Sequence, residues 1–179
     1  MRCPESVFAA CLIAIGVPAA SQDFGREATP EEVAHWDFDS RPDGTGLPEG
    51  SGTVAEGREI YEFQCASCHG DRGGGGLNDR LVGGHGTLDT DAPVKTVGSY
   101  WPYATTLHDY IQRAMPYYDP GILSPDEAYA VSAYILNLNG ILDDDAVLDR
   151  ASIASIEMPN RDGFIPEPEF APLVPDQEE

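Results

Sequence analysis

The sequence predicts an all-α fold, on three observations. Apolar residues at helical spacing run from about Thr53 straight into a Cys-x-x-Cys-His pentapeptide at 65–69. A second stretch, beginning at Ser124, carries a full set of helix-start signals. The long stretch from Gly73 to Gly98 shows no strand-like alternation of apolar and polar residues. At 179 residues the chain is long enough for one domain with its own core, and its abundant Gly and Pro imply long loops.

Taken in order, residues 1–21 open weakly basic at Arg2 and continue into an apolar run at 7–17 (VFAACLIAIGV), followed by Ala19, Ala20 and Ser21. That is the layout of a secretory signal peptide. The run is too short for a membrane crossing, which needs roughly 20 apolar residues. The expectation is an exported, periplasmic protein that keeps no membrane segment after cleavage.

Residues 22–52 are polar and rich in Pro and Gly and read as an extended arm, with one turn at Thr29-Pro30-Glu31-Glu32. His35, Trp36 and Phe38 are the arm's candidates for docking on the core or on a partner.

The domain proper spans 53–140. Val54, Ile60, Tyr61 and Gln64 set a first helix that ends at the cysteines, and Gly73, Gly74, Gly75 and Gly76 then open a loop that lasts to about Gly98. Residues 105–114 (TTLHDYIQRA) read as a short helix stopped by Met115-Pro116, since proline disfavours helical geometry in the residue before it. Ser124, Pro125 and Glu127 supply an N-cap, a first-turn proline and a capping-box carboxylate; the helix they start carries Ala128, Val131, Ile135 and Leu138 on one stripe and ends near Asn139-Gly140. Residues 141–179 read as an irregular acidic tail.

The formal net charge of −21 argues against nucleic acid and anionic membrane surfaces as partners. It suits a protein partner with basic patches, and equally it suits plain solubility. Cys3 and Cys11 fall in the leader, so the exported chain keeps Cys65 and Cys68, too few for a disulfide framework.

Cys65-Ala66-Ser67-Cys68-His69 fits covalent haem attachment. Two thiols a helical turn apart can each add to a haem vinyl group, and the adjacent imidazole then faces the iron. A zinc site would need two more ligands, and His85 and His108 are too far apart for the usual paired spacing. A thiol–disulfide oxidoreductase would place its cysteines at a helix start between strands, not at a helix end. An electron-transfer haem needs a second axial ligand, for which a methionine thioether favours the ferrous state. Met115, just before Pro116, is the expected one; Met158, His85, His108 or an open site are the alternatives. Gly57, Tyr61 and Tyr134 form a small-and-aromatic set that lets two helices cross closely. Tyr100, Trp101 and Tyr103 suit either the haem pocket or the core.

With these motifs in place, the chain resembles class I monohaem cytochromes c. The segments GSGTVAEGREIYEFQCASCHG, PVKTVGSYWPYATTLHDYIQRAMPY, LSPDEAYAVSAYILNLN and EMPNRDGF resemble, more narrowly, the cytochrome domain of SoxD over about residues 50–164. SoxD is the haem subunit that partners the molybdenum subunit SoxC in the sulfur dehydrogenase of thiosulfate oxidation. The resemblance implies a class I cytochrome c-like helical domain around one covalent haem c, held by Cys65 and Cys68 with His69 and Met115 as axial ligands, and irregular arms at both ends. It also implies a SoxC-like molybdenum partner, a downstream acceptor cytochrome, and no catalytic residues in this chain. A sulfite dehydrogenase haem subunit or a free periplasmic electron carrier would share the same motifs. Some SoxD proteins have two cytochrome domains, whereas this chain has a single haem motif.

Overall fold

The computed structural model describes residues 25–165 except Phe38, so the predicted leader at 1–21 and the side chains of His35 and Phe38 lie outside the described residues. Helices dominate: α1 (Pro30–Trp36), α2 (Val54–Gln64), the single turn α3 (Ala66–His69), α4 (Ala104–Ala114), α5 (Pro125–Leu138) and α6 (Arg150–Ala154). A two-stranded antiparallel ribbon pairs β1 (Ser51–Thr53) with β2 (Val147–Asp149), Gly52 facing Leu148.

Local chemistry fixes the helix starts. Thr29, Thr53 and Ser124 each accept a bond from the amide three residues on, while Glu32, Glu56 and Glu127 reach back to the cap, so every pair satisfies two otherwise orphaned N–H groups. Helix α4 ends where proline requires it, with Met115 extended at φ −120°, ψ 147° and the Met115–Pro116 peptide cis.

Helix α5 is the axis of the core. Instead of burying one stripe, it is buried on all sides from Ala128 to Leu136, because α2 and the ribbon cover one flank and α4 another. Its polar groups are satisfied in place: Ser132 Oγ donates to the Ala128 carbonyl at 2.7 Å and the Tyr129 hydroxyl to the Pro48 carbonyl at 2.8 Å. Against it, α2 packs with almost no spacing. A Cβ on Gly57 would lie 1.8 Å from the Ala130 carbonyl oxygen, and one on Gly52 2.3 Å from the Ala130 nitrogen. The Tyr61 and Tyr134 rings meet edge-on at 5.3 Å in the same crossing, as the sequence led one to expect.

Both arms contain more structure than their composition suggests. The turn at Thr29 extends into α1, and Asp39 and Ser40 behind it tie to α4 through Arg113 (2.7 Å) and Asp109 (3.3 Å). On the other side the expected irregular tail contributes β2 and α6 and buries Leu148, Ile153 and Met158 in the core. These three residues have no common period, and a ribbon of three residues per strand cannot display alternation, so neither element left a sequence signal.

Candidate haem site

Helix α2 ends at the first cysteine, as expected, and the single turn α3 begins there. Cys65 closes α2 by donating its N–H to the Tyr61 carbonyl (2.9 Å), and its own carbonyl then accepts from the amides of Cys68 (3.1 Å) and His69 (3.0 Å). This places both thiols, half-buried, on one short turn. Burial, with Cys68 adding to it, pushes the Cys65 thiol up to about 11.

The four-glycine loop folds back on this turn. The Gly75 amide donates to the His69 carbonyl and the Asn78 amide to the Cys68 carbonyl, each at 2.9 Å, while the Tyr61 hydroxyl caps the Gly70 carbonyl. Gly70 sits at φ +81°, where a Cβ would come within 2.6 Å of the Gly75 oxygen. The return brings the Asp79 carbonyl 2.8 Å from His69 Nδ1. A carbonyl can only accept, so Nδ1 carries the proton and Nε2 is left with its lone pair for the iron.

Asn139 holds the far end of the loop. Its side chain accepts from the Gly83 amide and donates to the Leu81 and Ile135 carbonyls, which joins the loop to the last turn of α5. Sequence reasoning treated Asn139 only as a helix end and missed the Asp79 carbonyl altogether.

The four candidates for the second axial position separate by burial. Met158 is 3 % exposed and belongs to the apolar core, so its thioether is spent on packing. His85 is exposed on the loop. His108 is fully buried between α4 and α5, its ring 4.1 Å from that of Tyr129. Met115 alone of the four is both half-buried and on a segment tied to the cysteine turn: Tyr118, three residues on, donates its hydroxyl to Gln64, the residue before Cys65.

His108 carries a measurable consequence. Neither ring nitrogen has a partner at good hydrogen-bond geometry, and burial pulls its pKa down to about 4; the Asp109 charge and a weak interaction with the Pro125 backbone oppose this and are outweighed. The native protein thus keeps a neutral imidazole that the unfolded chain protonates below its ordinary value near 6.5. Stability from this group is complete above pH 6.5 and is lost as pH falls toward 4, by about 3 kcal/mol in all. In urea melts at pH 7 and pH 5, His108→Phe should lose less stability on acidification than the parent; equal losses would show that His108 is not the group responsible.

The sequence model of the cytochrome c family matches residues 54–139. A solved structure, the sulfane dehydrogenase SoxCD from Paracoccus pantotrophus, aligns with a TM-score of 0.77 and 43% identity, over 88% of this chain and 79% of its counterpart. This chain belongs to the cytochrome c family. It lies close to SoxD, and a covalently bound haem c is part of the assignment. The cytochrome is also 32% identical over 93 residues to thiosulfate dehydrogenase of Stutzerimonas stutzeri (strain A1501), a match that takes in 49% of this chain and 28% of that protein. The cytochrome therefore spans well under a third of that relative's length.

The residues of the cytochrome fit the group. Cys65 and Cys68 would hold it covalently, His69 offers a free Nε2, and Met115 is the remaining thioether within the domain's loops. Haem c supplies a redox couple for electron transfer. With haem bound, the Asp79 carbonyl would hold the His69 ring and the Tyr118–Gln64 hydrogen bond would hold the Met115 segment. Among the described residues no helix is long and apolar enough to cross a membrane.

Proposed function

We propose that this cytochrome is a periplasmic carrier of single electrons, acting as the haem subunit of a SoxCD-type sulfur dehydrogenase in thiosulfate oxidation. Cys65 and Cys68 bind the haem covalently, and His69 and Met115 are its axial ligands. A SoxC-like molybdenum subunit oxidises the sulfur compound, and a second cytochrome accepts the electrons downstream. The observation that carries this reading is the extent of the likeness to SoxCD: it covers 88% of the chain, well outside the family's own 54–139. A free carrier would need only the haem domain.

The test is the molybdenum-to-iron ratio of the tagged cytochrome purified gently from its host grown on thiosulfate. A ratio near one is expected. Iron without molybdenum would replace the proposal with a free carrier, and a preparation lacking haem iron would remove the ligand assignment as well.

A further inference from the structure

The contact that orients His69 is held in place from outside the cysteine turn. The Asp79 carbonyl reaches His69 Nδ1 from a loop closed on itself at Gly73, whose carbonyl accepts from the amides of Leu81 (2.8 Å) and Val82 (3.1 Å). That closure joins main chain to main chain within the loop and leaves open what fixes the loop's exit against the helical core.

Asn139 does this. Its side-chain amide grips the chain just beyond Asp79: Nδ2 donates to the Leu81 carbonyl (3.2 Å) and Oδ1 accepts from the Gly83 amide (3.2 Å). The second Nδ2 hydrogen goes to the Ile135 carbonyl, one turn back on α5 (2.9 Å). Both donors are committed, and a reversed amide would set its oxygen against two carbonyls, so only this orientation is satisfied. Gly98 closes the site from the other side, where a Cβ would lie 2.2 Å from Asn139 Oδ1.

A helix end alone does not call for so much. Main-chain bonds already terminate α5, from Gly140 to Asn137 (2.8 Å) and from Ile141 to Leu136 (3.0 Å), with Gly140 at φ +70°. The Asn139 side chain is therefore surplus to the cap, and two of its three bonds are spent on the loop. The residue is 7% exposed, so solvent is poorly placed to replace what a substitution removes.

We propose that Asn139 is a positioning residue for the axial imidazole: by fixing residues 81–83 against α5 it keeps the Asp79 carbonyl within reach of His69 Nδ1, and so tunes the reduction potential. A hydrogen bond from Nδ1–H makes the imidazole a more basic ligand at Nε2, which favours ferric iron; slackening that bond moves the couple toward ferrous. This rests on His69 as an axial ligand, from the functional reading above, and adds the residue that sets how strongly it donates.

The test uses the haem-loaded protein as wild type and three variants. Asn139→Ala deletes the grip, Gly98→Ala dislodges the same side chain with residue 139 intact, and Leu148→Ala removes core volume at the ribbon, outside the loop. Redox titration against a mediator is read together with exchange of the His69 Nδ1 proton, followed by NMR in the ferrous protein. Asn139→Ala and Gly98→Ala should shift the mediator equilibrium toward ferrous by up to about tenfold, which is about 59 mV for a one-electron couple, and should speed the exchange. Leu148→Ala should melt earlier than the wild type and leave both readings unchanged. Potential and exchange that stay at wild-type values in both loop variants, whatever their melting, overturn the positioning role and leave the ligand assignment standing. A wild type without the signal of an iron-bound His69 overturns the ligand assignment and this inference with it. If neither loop variant retains haem, the wild type decides: one opening should free both His69 Nδ1–H and the Gly83 amide, giving matched protection, and an Nδ1 proton that exchanges while Gly83 stays protected overturns the proposal.

Discussion

Met115→Ala should abolish the sulfur-to-iron charge-transfer absorption of the ferric protein and lower its reduction potential by on the order of 100 mV, a modest part of the roughly 0.8 V that axial ligation spans. A thioether ligand would favour ferrous iron, and its loss would leave a water or no ligand in its place; the reduced variant should then bind carbon monoxide, which a Met115-ligated parent should resist. Little stability is at stake, because Met115 is half-buried at the end of α4. The control is Met158→Leu. Buried in the core, that side chain should affect melting and leave the spectrum unchanged. An absorption band that survives Met115→Ala, or that disappears in Met158→Leu, would reassign the ligand.

Gly57→Ala is expected to be the most damaging single-methyl change in the domain. The new Cβ would stand 1.8 Å from the Ala130 carbonyl oxygen and 2.9 Å from the Tyr134 Cβ, and its nearest neighbour is backbone that no rotamer can move. Helix propensity favours alanine by about 1 kcal/mol. Overpacking of the α2–α5 crossing opposes this with at least about 3 kcal/mol. The melting temperature should fall by roughly 5 °C or more, on the scaling for a chain of this size. Gly74→Ala makes the comparison, since a Cβ there meets nothing within 4 Å. Equal melting of the two variants would mean that the helices do not approach as closely as described.

Much of this was legible in the residues. Ser124, Pro125 and Glu127 announce α5 because capping is local chemistry, and Met115-Pro116 ends α4 for the same reason. The CxxCH motif is likewise confined to five adjacent positions. What escaped is whatever depends on residues far apart in the chain. The ribbon joins Gly52 to Leu148, and nothing within three residues of either reports it. Thr29-Pro30-Glu31-Glu32 signals a helix start, yet α1 is too short to build an apolar period, so it read as a turn. His108 sits in a polar-looking stretch, and its burial, which keeps it neutral, comes from the packing of α4 against α5 and is not visible locally. Asn139 looks like an ordinary helix terminator until the loop from Leu81 to Gly83 is seen resting on it.

The anchor of the His69 ring is a main-chain oxygen. Every amino acid at position 79 brings the same carbonyl, so no point mutation there deletes the bond outright, and its strength is set by the path of the glycine loop that delivers it. Electron donation from this imidazole is therefore governed by loop length and curvature more than by side-chain identity. Inserting or deleting a residue between Gly73 and Asp79 should retune the centre more than any exchange at 79. That makes the haem environment tolerant of substitution and sensitive to indels, a pattern opposite to that of a histidine oriented by a carboxylate.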